Sequence, residues 1–400
     1  MNFERISYRK ILTVTFFVVQ SFFAHAQATV VEFFTPNVSD YMKGATFECL
    51  LEDHKGYIWM GSRKGLCCVI GNSVRIYRHS DDSTSIPSDE IRCLYEDSQN
   101  RLWIGTENGI LALYDRVRDA FISYRNNKFL NNIAIYAVLE IDNYSFYIAS
   151  HQGIFIFDLR TQQFTPLLSD VPCRALLQLY DNSILFATER NGIYRVKNNK
   201  VIWQYELQIP SHETSSILAF CLNMDQKGEV WASTNYGGLF RFDVSQDTFL
   251  FEPLILQGRQ INDELFSLLH DNRGEFWIGG INTGLLKYDP EDKSIVRFGS
   301  NTSNQIGLRS NTVTSIIQGS DYEIWVASQN GGVVHFCNTK SPIKQYIPGL
   351  KNGQFLNIFN ISVALRIAAE CSNGNKLNIF AGRTIHGSYQ NSLRGCKSGR

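Results

Sequence analysis

The chain has 400 residues with 38 basic and 38 acidic side chains, so its formal charge is zero. That balance speaks against a nucleic-acid partner, which draws a basic excess. Hydrophobic residues make up 44% and aromatics 13%, enough for a large core and too much for a disordered chain.

The first element reads as an export signal. Arg5, Arg9 and Lys10 form a basic start, Ile11 to Phe23 an apolar run, and Ala24-His25-Ala26 an A-x-A cleavage pattern. The run is short for a membrane span, which needs about 20 apolar residues. Residues 1–26 are expected to be a cleaved signal peptide, and the mature chain is expected to be exported without a membrane span.

Next comes a repeat. "EDHKGYIWMGSRKGL" begins at Glu52, "EDSQNRLWIGTENGI" at Glu96 and "HDNRGEFWIGGINTGL" at His270. Seven copies are anchored at Trp59, Trp103, Tyr147, Phe186, Trp231, Trp277 and Trp325, 39 to 48 residues apart. In each copy an apolar run precedes an Asp-centred turn, whose residue types accept turn dihedrals and bond their own backbone. A short run around the aromatic follows, then a polar loop ending in Gly. An alternating apolar run ("ILALYD", "LFRFD") and a fourth aromatic-bearing run close the unit. No helical period intervenes, so the pattern is all-β.

A four-stranded antiparallel unit of this length is the size of one propeller blade, and radial stacking buries both blade faces. The expected fold is therefore an all-β, seven-bladed β-propeller of four-stranded antiparallel blades over residues 27–347. The recurrent aromatic is expected to pack between blades. Thr29–Phe34 ("TVVEFF") is expected to close the ring as the outer strand of blade seven, with Ile343–Ile347 as its rival.

Cys49, Cys93 and Cys221 each stand ten residues before a Trp, and Ser267 and Ser315 hold the same offset. One small buried position filled by Cys or Ser accounts for them, so the nine cysteines are expected to be mostly free thiols rather than disulfides or metal ligands.

The pattern D-x-x-G-x-x-W-I-G-T-x-x-G-L-x-x-Y-D resembles the two-component regulator propeller repeat, over about residues 46–347. That resemblance implies the periplasmic sensor part of a hybrid two-component system, regulating polysaccharide use and binding an oligosaccharide. In such proteins a second propeller, a homodimer, a membrane helix, a histidine kinase, a receiver and a DNA-binding domain would complete the relay. None of the kinase, receiver or helix-turn-helix parts is in this sequence. Residues 348–400 are expected to be the start of a second propeller or a truncated, aberrant tail. From Ser341 on there are eight basic residues and one acid, Glu370, and the Trp and Asp turn are absent.

Residues repeated in every blade are scaffold, so function is expected where copies differ, on loops the scaffold holds. The loops between second and third strands supply Arg63, Lys64, Glu107, Asn108, His151, Gln152, Glu189, Arg190, Asn235, Tyr236, Asn282, Gln329 and Asn330. They are expected to form one ligand-binding ring around the central channel, with Tyr236 as a sugar platform. Loops before the first strands ("PSDE", "SHETSS", "INDE", "LRSN") should share that face.

A glycosidase or lyase is the alternative, and a protein-interaction scaffold a third. A glycosidase needs a placed carboxylate pair. Asp53, Asp97, Asp142, Asp181, Asp225, Asp271 and Asp321 are repeated turn residues, spaced differently from the sialidase Asp-box. Only Glu107 and Glu189 are singular. His54, His79, His151, His212, His270, His335 and His386 show no metal-ligand spacing. The chain is expected to be non-enzymatic, with no cofactor and no metal.

Overall fold

The computed structural model describes residue 42 and residues 44–337, apart from 72, 127, 210–216 and 301–307. Apart from a two-stranded hairpin of Ile255–Leu256 and Arg259–Gln260, seven antiparallel sheets follow one another along the described chain, each built from strands adjacent in sequence. Six have four strands, and the seventh shows three: Val313–Gln318, Glu323–Ser328 and Gly332–Cys337. The innermost strands are Phe47–Glu52, Ile91–Glu96, Ile135–Asp142, Cys173–Gln178, Ala219–Met224, Leu265–His270 and Val313–Gln318. The innermost strand of the seventh sheet lies beside that of the first. The fold is a seven-bladed β-propeller. Both segments expected to supply the closing outer strand, and the tail, lie outside the described residues.

Each second strand is buried along its whole length or all but its first residue. That burial explains why these runs are nearly continuous in apolar and small residues rather than alternating. Where the second strand carries a Trp, that Trp faces the following blade. Trp103 meets Phe146 at 4.6 Å between ring centres, Trp231 meets Phe276 at 4.9 Å, and Trp277 meets Phe336 at 5.1 Å. Trp325 packs into the cluster of Met42, Phe47 and Met60, so the same contact joins the last blade to the first.

One anchor moves. In blade four Leu185 pairs with Leu177, as Trp103 pairs with Tyr95 in blade two. The Trp position is thus held by Leu185, which packs toward Ala219 and Val230 of blade five. Phe186 points the other way, against Tyr147 of blade three, at 5.4 Å. Two adjacent bulky apolar residues look alike in sequence; the pairing register separates them.

The repeated Asp knits the turn. In blade one Asp53 Oδ1 accepts from the backbone N–H groups of Lys55 and Tyr57, both at 3.0 Å, and Oδ2 accepts from Trp59 Nε1 at 2.9 Å. The same Asp–Trp bond occurs at Asp97–Trp103, Asp225–Trp231 and Asp271–Trp277. Asp142, Asp181 and Asp321 cap their own turns.

The acid before the Asp has a separate task. Glu96 accepts from the backbone N–H of His54 at 2.7 Å, and Glu140 from Ser98 N at 2.8 Å. Gln318 does the same for Asn272 at 2.9 Å, and Glu52 for Ser320 at 2.6 Å. Each bond runs from one blade's turn to the end of the next blade's inner strand, and Glu52–Ser320 joins the last blade to the first. Replacing Glu140 by alanine strands the Ser98 N–H and hydroxyl. The expected loss is about 1 kcal/mol, read as a lower urea midpoint with an unchanged slope.

The glycine after the Trp is a packing requirement. A Cβ on Gly105 would collide with Cys93 Sγ and with Ile135 of the next blade's inner strand. The small Cys and the Gly therefore belong to one close contact. Described cysteines 49, 67, 68, 93, 173, 221 and 337 are all free. Burial pushes the Cys67, Cys68 and Cys93 thiols up to about 12, which keeps them protonated and unreactive near neutrality.

Candidate functional site

Every inner strand carries a β-bulge at its second residue. The register skips from Phe47 to Cys49, from Ile91 to Cys93 and from Cys173 to Ala175. It skips likewise from Ala219 to Cys221, Leu265 to Ser267 and Val313 to Ser315, and in blade three around Tyr136. A bulge leaves its extra residue unpaired and re-aims the side chain. The seven bulged residues are Glu48, Arg92, Tyr136, Arg174, Phe220, Phe266 and Thr314, and all line one cavity of about 520 Å³ at the mouth of the channel.

A second recurring contact adds the loop ring to that mouth. The residue after each second strand donates its N–H to the carbonyl just before the inner strand. These bonds are Arg63 to Thr46, Glu107 to Glu90, His151 to Ala134, Glu189 to Pro172, Asn235 to Leu218, Ile281 to Glu264 and Gln329 to Thr312. The loop ring and the loops before the first strands thus share one face, as expected. The "SHETSS" loop lies outside the described residues.

The cavity has two unlike halves. Around blades one to four run ion pairs. Arg63 Nε lies 2.7 Å from Glu48 Oε1, and Arg92 Nη1 lies 3.4 Å from Glu48 Oε2. Arg92 also pairs with Glu107, and Arg174 Nε lies 2.6 Å from Glu189 Oε1. The Arg174 guanidinium covers the Tyr136 ring at 4.1 Å. Burial alone would depress Arg92, but the Glu107 and Glu48 carboxylates hold it above its usual value. Burial raises the Tyr136 phenol, so it stays a neutral hydroxyl. Around blades five and six the lining is Leu218, Phe220, Phe266 and Ile281 with one acid, Glu264, and the two phenylalanines meet edge to face at 5.2 Å.

Of the loop residues expected at the site, Arg63, Glu189 and Gln329 line the cavity. Glu107 stands behind Arg92, and His151 Nδ1 lies 3.7 Å from Glu189. In blade six Ile281 holds the ring position; Asn282 is an exposed turn residue at φ 59°. The others serve the frame. Asn108 accepts from Thr106 Oγ1, Asn235 from Leu218 N, and Asn330 from Thr46 Oγ1 across the ring closure. Gln152 bonds Asp170, the Lys64 N–H bonds Ser62 Oγ, and Arg190 is exposed away from the cavity lining. Tyr236 is half-buried, packed against the core between blades four and five, and is not among the residues lining the cavity.

The bulge column was missed in the sequence. Its signal was present: each of Glu48, Arg92, Phe220, Phe266 and Thr314 immediately precedes the small Cys or Ser already singled out, and its chemistry differs from blade to blade.

Known proteins share the repeat and the fold. Residues 85–108, spanning the loop before blade two and its first turn and Trp, match the family model of the two component regulator propeller. The chain carries that repeat. The chain superposes on the extracellular domain assigned to a hybrid two component system, BT3049, of B. thetaiotaomicron. The TM-score is 0.62 at 19% identity, covering 78% of this chain and 42% of that one. A second such domain from the same organism, BT4673, gives 0.64 at 19% identity, with 76% and 40% covered. Virginiamycin B lyase from Staphylococcus aureus gives 0.59 at 13% identity, with 77% and 98% covered. These likenesses establish the shared propeller fold. The chain spans less than half the length of the two extracellular domains. No curated protein sequence matches it significantly. Among the described residues no helix is long and apolar enough to cross a membrane, and no cluster of three or more metal-ligating side chains occurs.

Proposed function

We propose that this propeller is an exported, periplasmic sensing module of a hybrid two-component protein, and that the channel mouth binds an oligosaccharide. The observation that carries the reading is the two-sided cavity. Phe220 and Phe266 offer ring surface to the C–H face of a sugar, while Arg63, Arg92, Arg174, Tyr136 and Gln329 offer hydrogen bonds to its hydroxyls. Regulator-propeller repeats and the extracellular location of the structural neighbours support it. Signalling then requires that ligand favour one arrangement of the full-length protein over another. The relay itself needs partner domains, a second propeller and a dimer among them.

A lyase or glycosidase reading has less behind it. Glu107 and Glu189, the candidate catalytic carboxylates, are each committed to an arginine. A thermal-shift screen over plant and host oligosaccharides tests the proposal, because a ligand bound only by the folded state raises its stability. The expected result is a saturable rise in Tm with one glycan class, lost in Phe220→Ala. Turnover of a glycan by the purified chain, or no shift with any glycan, sinks the sensing role.

A further inference from the structure

The charges of the cavity point to a narrower ligand, on the footing that the mouth is a glycan site. Each cavity arginine already has a carboxylate: Arg63 has Glu48, Arg92 has Glu48 and Glu107, and Arg174 has Glu189. Their field is largely cancelled, and an anionic ligand would have to displace an existing partner. Glu264 differs. It lines the cavity, it is half-buried, and its carboxylate has no hydrogen-bond or ion-pair partner among the described residues. The Phe220–Phe266 pair lines the same cavity.

A carboxylate and aromatic rings lining one cavity can together receive a cation. The carboxylate attracts an ammonium by charge, and ring faces attract it through their quadrupole. The same rings take up the C–H face of a pyranose. We propose that the channel mouth recognises an oligosaccharide carrying a free amine, a glucosamine-type unit, with the ammonium at Glu264 and the sugar ring against Phe220 and Phe266. The Arg–Glu arc of blades one to four then takes the hydroxyls of the neighbouring units. In this arrangement Glu264 sets specificity, and the arc contributes contacts that most glycans share.

The test uses isothermal titration of the full chain with four probes of equal length. These are glucosamine oligomers, their N-acetylated counterparts, neutral gluco-oligosaccharides and oligogalacturonate. N-acetylation removes the charge while keeping the ring, so glucosamine oligomers are expected to bind roughly tenfold more tightly than the acetylated ones. Glu264→Gln, which keeps the shape, is expected to erase that margin. Equal affinity for charged and acetylated probes, tightest binding of the uronate, or an unchanged margin in Glu264→Gln overturns the amine assignment while glycan binding stands. Binding of none of the four overturns the amine assignment, and an accompanying silence across the wider glycan screen removes the glycan site as well.

Discussion

Replacing Asp53 by alanine is expected to destabilise the protein by about 3–5 kcal/mol. The Asp53 side chain is fully buried and lies 2.7 Å from Arg116 of blade two. It also takes the Trp59 indole N–H and two backbone N–H groups. Alanine leaves all four donors without this acceptor, and one of them is a charge only 17% exposed. Glu96 also binds Arg116, at 2.7 Å, which softens that part of the loss. Asp53→Asn keeps the volume and one acceptor, so its cost is expected to be smaller. Chemical denaturation of the three proteins side by side reads the difference.

The same residue predicts an acid sensitivity. Burial works against the Asp53 charge, but bonds from Trp59, Arg116, Tyr57 and Lys55 overcome it and hold the carboxyl below its usual value. A depressed pKa contributes stability above the unfolded value of about 4. That contribution is lost as pH falls through the lower folded value. The wild-type stability curve should therefore drop below pH 4 more steeply than that of Asp53→Asn. Identical slopes would mean that folding leaves the Asp53 pKa unshifted.

Arg174→Ala is the second large effect, and it falls on the cavity. Glu189 is 8% exposed, and Arg174 is its short-range cation at 2.6 Å. Removing the arginine leaves a buried carboxylate beside the more distant His151. Since Arg174 is 32% exposed, water softens the penalty, and the expected loss is about 1–3 kcal/mol. Adding Glu189→Gln should recover most of it, because the stranded charge is then gone. A double-mutant cycle by urea unfolding gives the coupling directly. Glycan affinity should fall in both arginine-lacking proteins, since the guanidinium over Tyr136 is absent whether or not stability is restored.

Much of the frame was legible in the sequence. Trp59, Trp103, Trp231, Trp277 and Trp325 recur at blade spacing, so their inter-blade role could be read from recurrence alone. The Asp turns and the small Cys or Ser column follow from the same count. Phe186 was misread because Leu185 beside it is equally apolar, and only the pairing of Leu185 with Leu177 shows which one takes the Trp place. Glu96 and Glu140 were visible as repeated acids, but their partners are backbone groups of the preceding blade about 42 residues away. A sequence does not display contacts of that range.

The candidate site was half legible. Arg63, Glu189 and Gln329 were found because their loops vary between copies. Arg92, Arg174, Tyr136, Phe220 and Phe266 were not, because strand alternation assigns faces two residues at a time and a bulge breaks that count. By itself the sequence determined the strand content, the number of blades and the scaffold residues, since each rests on short-range patterning repeated seven times. Only the tertiary structure decided which side chains meet at the mouth, that Tyr236 packs against the core, and that Glu264 has no partner among the described residues. Those outcomes depend on register, on bulges and on how seven inner strands converge on one axis.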